Sequence, residues 1–268
     1  MTYTSPHPLP KVTRVKPATF RTKLPSSVVK SAARTIQILE FIDHVRRPVS
    51  ASEIAVGLGF PVSSSSALLR SMVAMGYLSL DRDSRCYSLT RRTGLLGSWV
   101  DPSLTRHGTL LSLVHSLSSV VGETVLLARR NELSVQTIYV APSDTAQDAP
   151  TPGAQYCVAR SAPGMALLAM SDDAELRRII GRINAERPAN APVIDAADYA
   201  TRLTEGRRRG SFTGPGIGAG TASVAQQVRH RASGDLLVLA IEGPSDRIHD
   251  RLKNISGLMH GALTRLAQ

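Results

Sequence analysis

The sequence contains no apolar run near the roughly 20 residues that a membrane-spanning helix needs, which excludes a helical spanning protein. Met1–Lys30 has no apolar stretch of roughly 7–15 residues, so a secretory signal is not expected there. Cysteine is nearly absent. Cys86 and Cys157 cannot build a disulfide framework, and a reducing cytoplasm is the expected location. Acidic residues are missing from Met1–Pro25, which carries Pro6, Pro8, Pro10, Pro17 and Pro25 among five Lys and Arg. Repeated prolines block helix and sheet pairing and like charges repel, so residues 1–26 read as a disordered basic tail. Catalytic motifs are missing too: there is no G-x-S-x-G, no H-E-x-x-H and no phosphate-loop lysine. The histidines are dispersed and the two cysteines far apart, so no catalytic residue, metal site or cofactor is assigned.

What is present is a basic front on a neutral body. The 268 residues hold 32 Lys and Arg against 21 Asp and Glu, and 42% are hydrophobic, enough for one large or two smaller cores. Up to Arg92 there are 14 basic and 5 acidic residues, a net of +9; the remainder carries 18 and 16, a net of +2. That asymmetry calls for an anionic partner, nucleic acid or a membrane surface.

The pattern from 27 to 92 favours nucleic acid. Val29, Ala32, Ala33, Ile36, Leu39 and Ile42 recur at helical spacing, and Pro48 closes that helix. Ser50 and Glu53 have capping-box spacing ahead of a short helix stopped by Gly57 and Gly59. Pro61 suits the first turn of a third helix, which turns Ala67, Leu68, Leu69, Met72 and Val73 inward and ends at Gly76. The period then falls to two: Tyr77–Leu80 and Cys86–Leu89 read as strands around the polar turn 81–85. Helix, short helix, helix and hairpin is the order of a winged helix-turn-helix. The second helix of that motif enters the major groove. Its exposed side chains are expected to be Val62, Ser63, Ser64, Ser65, Ser66, Arg70 and Ser71. Hydroxyls near a helix start suit phosphate oxygens, and Arg70 suits guanine or phosphate. Arg82 and Arg85 at the wing tip and Arg34 on the first helix add expected DNA contacts.

Beyond residue 92 the chain mixes helices with antiparallel strands, an α+β pattern. Leu95–Val121 reads as a helical connector broken at Asp101-Pro102, with Trp99 packing it. Glu123–Arg130 and Val135–Val140 read as a strand pair. Helices follow at Gly164–Met170, Asp173–Ile183 and Asp195–Arg209, then a hairpin around Ser233-Gly234 and a closing amphipathic helix at Ser245–Leu266. Gly214-Pro215-Gly216-Ile217-Gly218-Ala219 fits G-x-G-x-x-A, but the end of a helix, Arg207–Gly210, precedes it where a dinucleotide site needs a strand.

These residues resemble IclR-type bacterial transcriptional regulators. Ala33–Leu39 is similar to the opening helix of that family, and Glu53-Ile54-Ala55, Gly59-Phe60-Pro61, Leu68-Leu69 and Gly76-Tyr77-Leu78 follow its helix-turn-helix in order. Gly122–Ala128, Ser161–Ala169 and Glu242-Gly243-Pro244 with Arg247-Ile248 resemble its effector domain. The resemblance implies a winged helix-turn-helix at 27–92, a connector at 93–104, and a GAF/PAS-like α/β domain at 105–268 with a mostly antiparallel sheet. It also implies a homodimer or dimer of dimers, a near-palindromic double-stranded operator, a small-molecule effector and control of a catabolic operon. Ser161, Ala162, Gly164, Met165, Thr221 and Ser223 are then the expected effector contacts, with amides at Ala162–Gly164 holding a carboxylate. The chain departs from the family at Met165, where lysine is usual, and in the glycine-rich stretch 210–220, where acids are usual. The carboxylate-holding positions of some members align with Ser223, Ala240 and Glu242; Ala240 offers no side-chain hydrogen bond and Glu242 repels an acid. Two other readings stay open: a ligand-binding or scaffolding protein of the same architecture with degenerate DNA specificity, and a small hydrolase or dehydrogenase.

Overall fold

The structure, a computed structural model, describes residues 28–96, 108–143, 146, 149–228 and 236–266. The basic tail, Trp99, Asp101-Pro102 and the Ser233-Gly234 turn lie outside the described residues. The chain divides into two compact units, Met1–Gly97 and Ser98–Gln268.

In the first unit, α1 (Lys30–Val45) stops where Arg46 turns left-handed at φ 55°, with its amide on the Ile42 carbonyl. The buried face is Ile38, Phe41, Ile42 and Val45. This corrects the expected stripe: Val29 and Ile36 are 67% and 56% exposed. The Phe41 ring sets the helix's phase, because it packs against Gly57 so closely that a Cβ there would lie 2.5 Å from Cε2. A two-residue strand that the sequence pattern misses, β1 (Val49–Ser50), leads into α2 (Ala51–Leu58). Pro61 is the N-cap of α3 (Val62–Ala74) and not part of its first turn. β2 (Leu78–Asp81) and β3 (Cys86–Leu89) form the hairpin, and β1 adds to β3, giving an antiparallel sheet of order β1-β3-β2. A short α4 (Arg91–Leu95) follows. Ile38, Phe41, Ile54, Leu58, Leu69, Met72 and Leu78 meet in one apolar core.

The start of α2 is the best-defined cap in this unit. Glu53 N–H donates to Ser50 Oγ at 3.2 Å, and Ser50 N–H donates back to Glu53 Oε2 at 2.8 Å. Arg47 adds a 2.7 Å contact to Glu53 Oε1. The Arg47 guanidinium, then the Ser50 amide, hold the Glu53 carboxyl below the usual carboxylate range. A lowered folded-state pKa means that this stabilisation is present above the ordinary carboxylate pKa and is lost as pH falls through the lowered one. Ser50→Ala is expected to cost about 1 kcal/mol near neutral pH, since one of the cap's two reciprocal bonds disappears. Urea unfolding from about pH 7 to 3 checks it, and the gap from the parent chain should narrow at the acid end.

In the second unit, α5 (Thr109–Val121) buries Leu110, Leu111, Val114, Leu117 and Val121, the face that the periodicity predicts. β4 (Thr124–Asn131) and β5 (Ser134–Ala141) follow, then β6 (Gln155–Cys157), a short edge strand that the sequence pattern misses. A 3₁₀ turn at Val158–Arg160 precedes α6 (Ala162–Leu168), α7 (Asp173–Glu186) and α8 (Ala196–Arg209). β7 (Phe212–Pro215), β8 (Thr221–Val228) and β9 (Leu237–Pro244) complete the sheet, followed by α9 (Ser245–Asp250) and α10 (Leu252–Leu266). The six strands run β6-β5-β4-β9-β8-β7, every pair antiparallel. Alternation along β9 feeds two cores: Val238 and Ala240 join the layer of α6, α7 and α8, while Leu237, Leu239 and Ile241 join the layer of α5 and α10. β7 corrects the reason for setting aside the glycine-rich stretch: a strand does precede it, but the chain continues into β8, not a helix. Among the described residues, no helix is long and apolar enough to cross a membrane.

Candidate functional site

The first unit presents the start of α3 and the wing. Pro61 supplies no side-chain cap, and the Ser65 N–H donates to the Pro61 carbonyl at 3.1 Å at this end of the helix. The amides of Val62, Ser63 and Ser64 therefore point out of the helix end without a carbonyl four residues back, a setting that favours anions. Ser63 and Arg70 are exposed, and Ser64 and Ser66 half-buried. Ser65 is the correction: it is fully buried, and its hydroxyl donates to the Pro61 carbonyl at 3.1 Å, so it packs α3 and faces no partner. Ser66 and Ser71 donate to the carbonyls of Val62 and Ala67, which leaves their oxygens as acceptors on the outer face.

Arg34, expected as a phosphate contact, lies 5.1 Å over the Phe60 ring and holds the turn ahead of α3. Its stem is half-buried. Arg47 is occupied by Glu53. At the wing, Asp81 accepts from the Asp83 amide at 3.0 Å and the Ser84 hydroxyl at 2.8 Å, fixing the turn that carries Arg82 and Arg85. Both arginines are exposed, and Arg85 adopts φ 52°.

The second unit divides the expected effector residues between two places. Ser161 is the N-cap of α6 and accepts the Gly164 amide at 3.3 Å; Pro163 has no amide to give. The expected cradle at Ala162–Gly164 is thus largely used up, and the whole helix is buried. Gly164 permits close approach: a Cβ there would lie 1.7 Å from the Val158 carbonyl oxygen. Met165 is 4% exposed and receives Arg202 Nη2 at 3.5 Å on its sulfur. Ser223 is 1% exposed, and its hydroxyl has no hydrogen-bond partner; the Tyr199 hydroxyl shares that condition. Each orphaned hydroxyl costs roughly 1–3 kcal/mol of desolvation. Burial pushes the Tyr199 phenol well up.

Thr221 belongs elsewhere, to a cleft of about 370 Å³ that Glu123, Glu242 and Arg247 also line. Glu242 is 2% exposed and anchors the glycine-rich stretch: the amides of Ile217 and Gly218 donate to its carboxylate at 2.8 and 2.6 Å. The Thr221 hydroxyl lies 2.8 Å from the same carboxylate and 2.7 Å from the Gly218 carbonyl, sharing one proton. Glu123, 3% exposed, faces Arg247 at 3.0 Å and Arg251 at 3.8 Å. Arg202 was not singled out by sequence reasoning. Its only advance signal is its place three residues after Tyr199, on the same face of α8.

The family model for the IclR helix-turn-helix domain matches residues 31–82, the span from α1 to the end of β2. The acetate operon repressor of Salmonella typhimurium is 26% identical over 260 residues, spanning 91% of this chain and 90% of that protein. The crystal structure of an IclR transcriptional regulator from Alicyclobacillus acidocaldarius superposes with a TM-score of 0.56 at 25% identity, covering 89% of this chain and 97% of that one. An IclR homolog from Microbacterium hydrocarbonoxydans, solved with 4-hydroxybenzoate, shares the fold at a TM-score of 0.53 and 19% identity, over 88% and 99% of the two chains. A helix-turn-helix with an open recognition-helix start, joined in one chain to this antiparallel α+β unit, is the arrangement of those regulators; the chain carries an IclR-type helix-turn-helix and is similar to IclR transcriptional regulators along most of its length.

Proposed function

We propose that this regulator binds a near-palindromic operator as a homodimer or dimer of dimers, responds to a small-molecule effector held in its second unit, and controls a catabolic operon from the cytoplasm. The observation that carries the DNA half is the start of α3: outward amides, Ser63 and Arg70 exposed, and the Arg82–Arg85 wing as a second cationic point. Ser63, Ser64 and Ser66 take phosphate, Arg70 takes a base or phosphate, and Arg82 and Arg85 follow the backbone. Arg34 acts one step back, through Phe60. Two buried hydroxyls without partners support the effector half, and so does the 4-hydroxybenzoate complex of the Microbacterium homolog. Units 27–92 and 105–268 divide the two tasks.

Footprinting and gel shifts with DNA from the regulator's own locus test it. A discrete protected site is expected, with affinity falling steeply as salt rises because phosphate contacts release counterions. Arg70→Ala is expected to weaken binding by about 1–3 kcal/mol if Arg70 reads a base. Salt-insensitive binding, or none at any sequence, overturns the reading. The serine-rich face, with hydroxyls turned back onto the helix, favours one second reading: architecture kept, sequence specificity degenerate. Salt-sensitive binding without a discrete footprint selects it.

A further inference from the structure

We propose that α3 reads thymine by its 5-methyl group, through the methyls of Val62 and Ala67, so that the operator half-site carries thymines where these two side chains meet the major groove. This rests on the proposed entry of α3 into that groove and names what the helix recognises there.

The outer face of α3 is poor in free hydrogen-bond donors. Its exposed residues are Val62, Ser63, Ala67, Arg70, Ser71 and Ala74. The Ser71 hydroxyl donates to the Ala67 carbonyl at 3.1 Å, and the half-buried Ser66 hydroxyl donates to the Val62 carbonyl at 3.0 Å. Both hydroxyls then have only acceptor capacity left to offer. Guanine shows two acceptors in the major groove and adenine an acceptor beside its amino group, so each is best read by a side chain with N–H to give. On this face only Arg70 has N–H groups in its side chain. A serine acceptor takes the amino group of adenine or of cytosine alike and separates neither. Thymine is the base that presents an apolar group, its methyl, in the major groove.

Val62 is placed to meet that group. It is the first residue of α3 and is 61% exposed. In a helix-turn-helix the N-terminal residues of the recognition helix contact base edges. A single exposed valine is ordinary on a protein surface, and Val56 on α2 is 63% exposed. Val62 differs in standing at the groove end of the helix, on the turn whose amides draw phosphate. Pro61 holds the backbone ahead of it at φ −60°, and a β-branched side chain has few rotamers. Its methyls are therefore fixed before DNA arrives, and contact costs little side-chain entropy. Ala67 lies five residues further on, about 7.5 Å along the axis, a distance that neighbouring base pairs span. Its methyl has no rotamer to fix. Ser63, Ser66 and Arg70 lie between the two apolar groups on the helix surface. Phosphate contacts then supply affinity, and the methyls supply discrimination.

The test takes a fragment from the regulator's own locus that gives a discrete footprint. It is amplified once with dTTP and once with dUTP, which removes every thymine methyl and keeps the base pairing. Gel shifts with the full chain give the ratio of the two affinities. The parent chain is expected to bind the uracil fragment about four-fold or more weakly, the loss of one buried methyl or more. Val62→Ser and Ala67→Gly should each weaken binding to the thymine fragment and lower that ratio, and the double variant should bring it to about one. Ala67→Gly also loosens the helix, but that loss falls equally on both fragments and cancels in the ratio. Val56→Ala should keep the parent ratio, and Val62→Ser the parent salt dependence, since no phosphate contact is lost. Equal affinity of the parent chain for the two fragments overturns the proposal and leaves the groove reading intact. A ratio that Val62→Ser and Ala67→Gly leave unchanged also overturns it, and assigns the methyl effect to DNA shape. Absence of any discrete footprint removes the groove reading, and this inference with it.

Discussion

Gly164→Ala is expected to lower the melting temperature of the second unit by roughly 6–12 °C, equivalent to about 3 kcal/mol or more in a domain of this size. The cause is backbone against backbone. The added Cβ would stand 1.7 Å from the Val158 carbonyl oxygen and 2.6 Å from its carbon, so neither neighbour can yield by a rotamer change. Either the 3₁₀ turn at Val158–Arg160 or the start of α6 has to move. α6 is buried along its whole length, between the sheet and α8, so that motion opens the larger core. Gly181 is the internal control. It lies inside α7, and a Cβ there meets nothing within 4 Å. Gly181→Ala is expected to stabilise by about 0.5–1 kcal/mol through helix propensity. Thermal unfolding of the two variants beside the parent chain should give shifts of opposite sign. A mild Gly164→Ala would mean that this close approach does not hold α6 in place.

That contrast bears on what can be read from sequence. The capping box at Ser50 and Glu53, the α5 face and the β4–β5 pair were legible, because each is a local signal written within one or two turns or across one tight turn. The phase of α1 was not. The helix carries two apolar stripes, and the choice between them depends on Phe41 meeting Gly57, a contact between two helices. β1, β6 and β7 were missed because two to four residues hold too little period to identify a strand; they exist by pairing to longer neighbours.

The candidate site was legible to the same depth. Exposure of Ser63, Arg70, Arg82 and Arg85 follows from helix and hairpin geometry alone. Ser65 was misjudged within a run of four serines, because nothing local tells which hydroxyl turns back to Pro61 and inward. Ser223 and Met165 are expected effector contacts, but Arg202, whose guanidinium meets the Met165 sulfur, is 37 positions from Met165 along the chain, and that contact appears only once α8 is laid beside α6.

Glu242 illustrates the same point at higher stake. In sequence it is an acid where a carboxylate ligand would be repelled; in the fold it binds the loop's own amides. Glu242→Ala is expected to cost about 2–3 kcal/mol, because the Ile217 and Gly218 amides lose their acceptor in a half-buried setting where each unpaired group costs roughly 1–3 kcal/mol and water recovers part. Glu242→Gln should recover only part of that loss: one amide keeps an oxygen, while the other meets an NH₂ group and finds donor against donor. Gly216 makes the arrangement tight, since a Cβ there would fall 2.2 Å from Thr221 Oγ1 and 2.6 Å from Glu242 Cδ. Hydrogen exchange at Ile217 and Gly218 provides the local readout, slow in the parent chain and fast in Glu242→Ala, alongside urea unfolding for the global cost. Unchanged exchange at both amides would show that the loop holds itself, through Thr221 and its own turns, and that Glu242 is free to meet a ligand. The expected result instead ties the Glu242 carboxylate to the loop through the Ile217 and Gly218 amides.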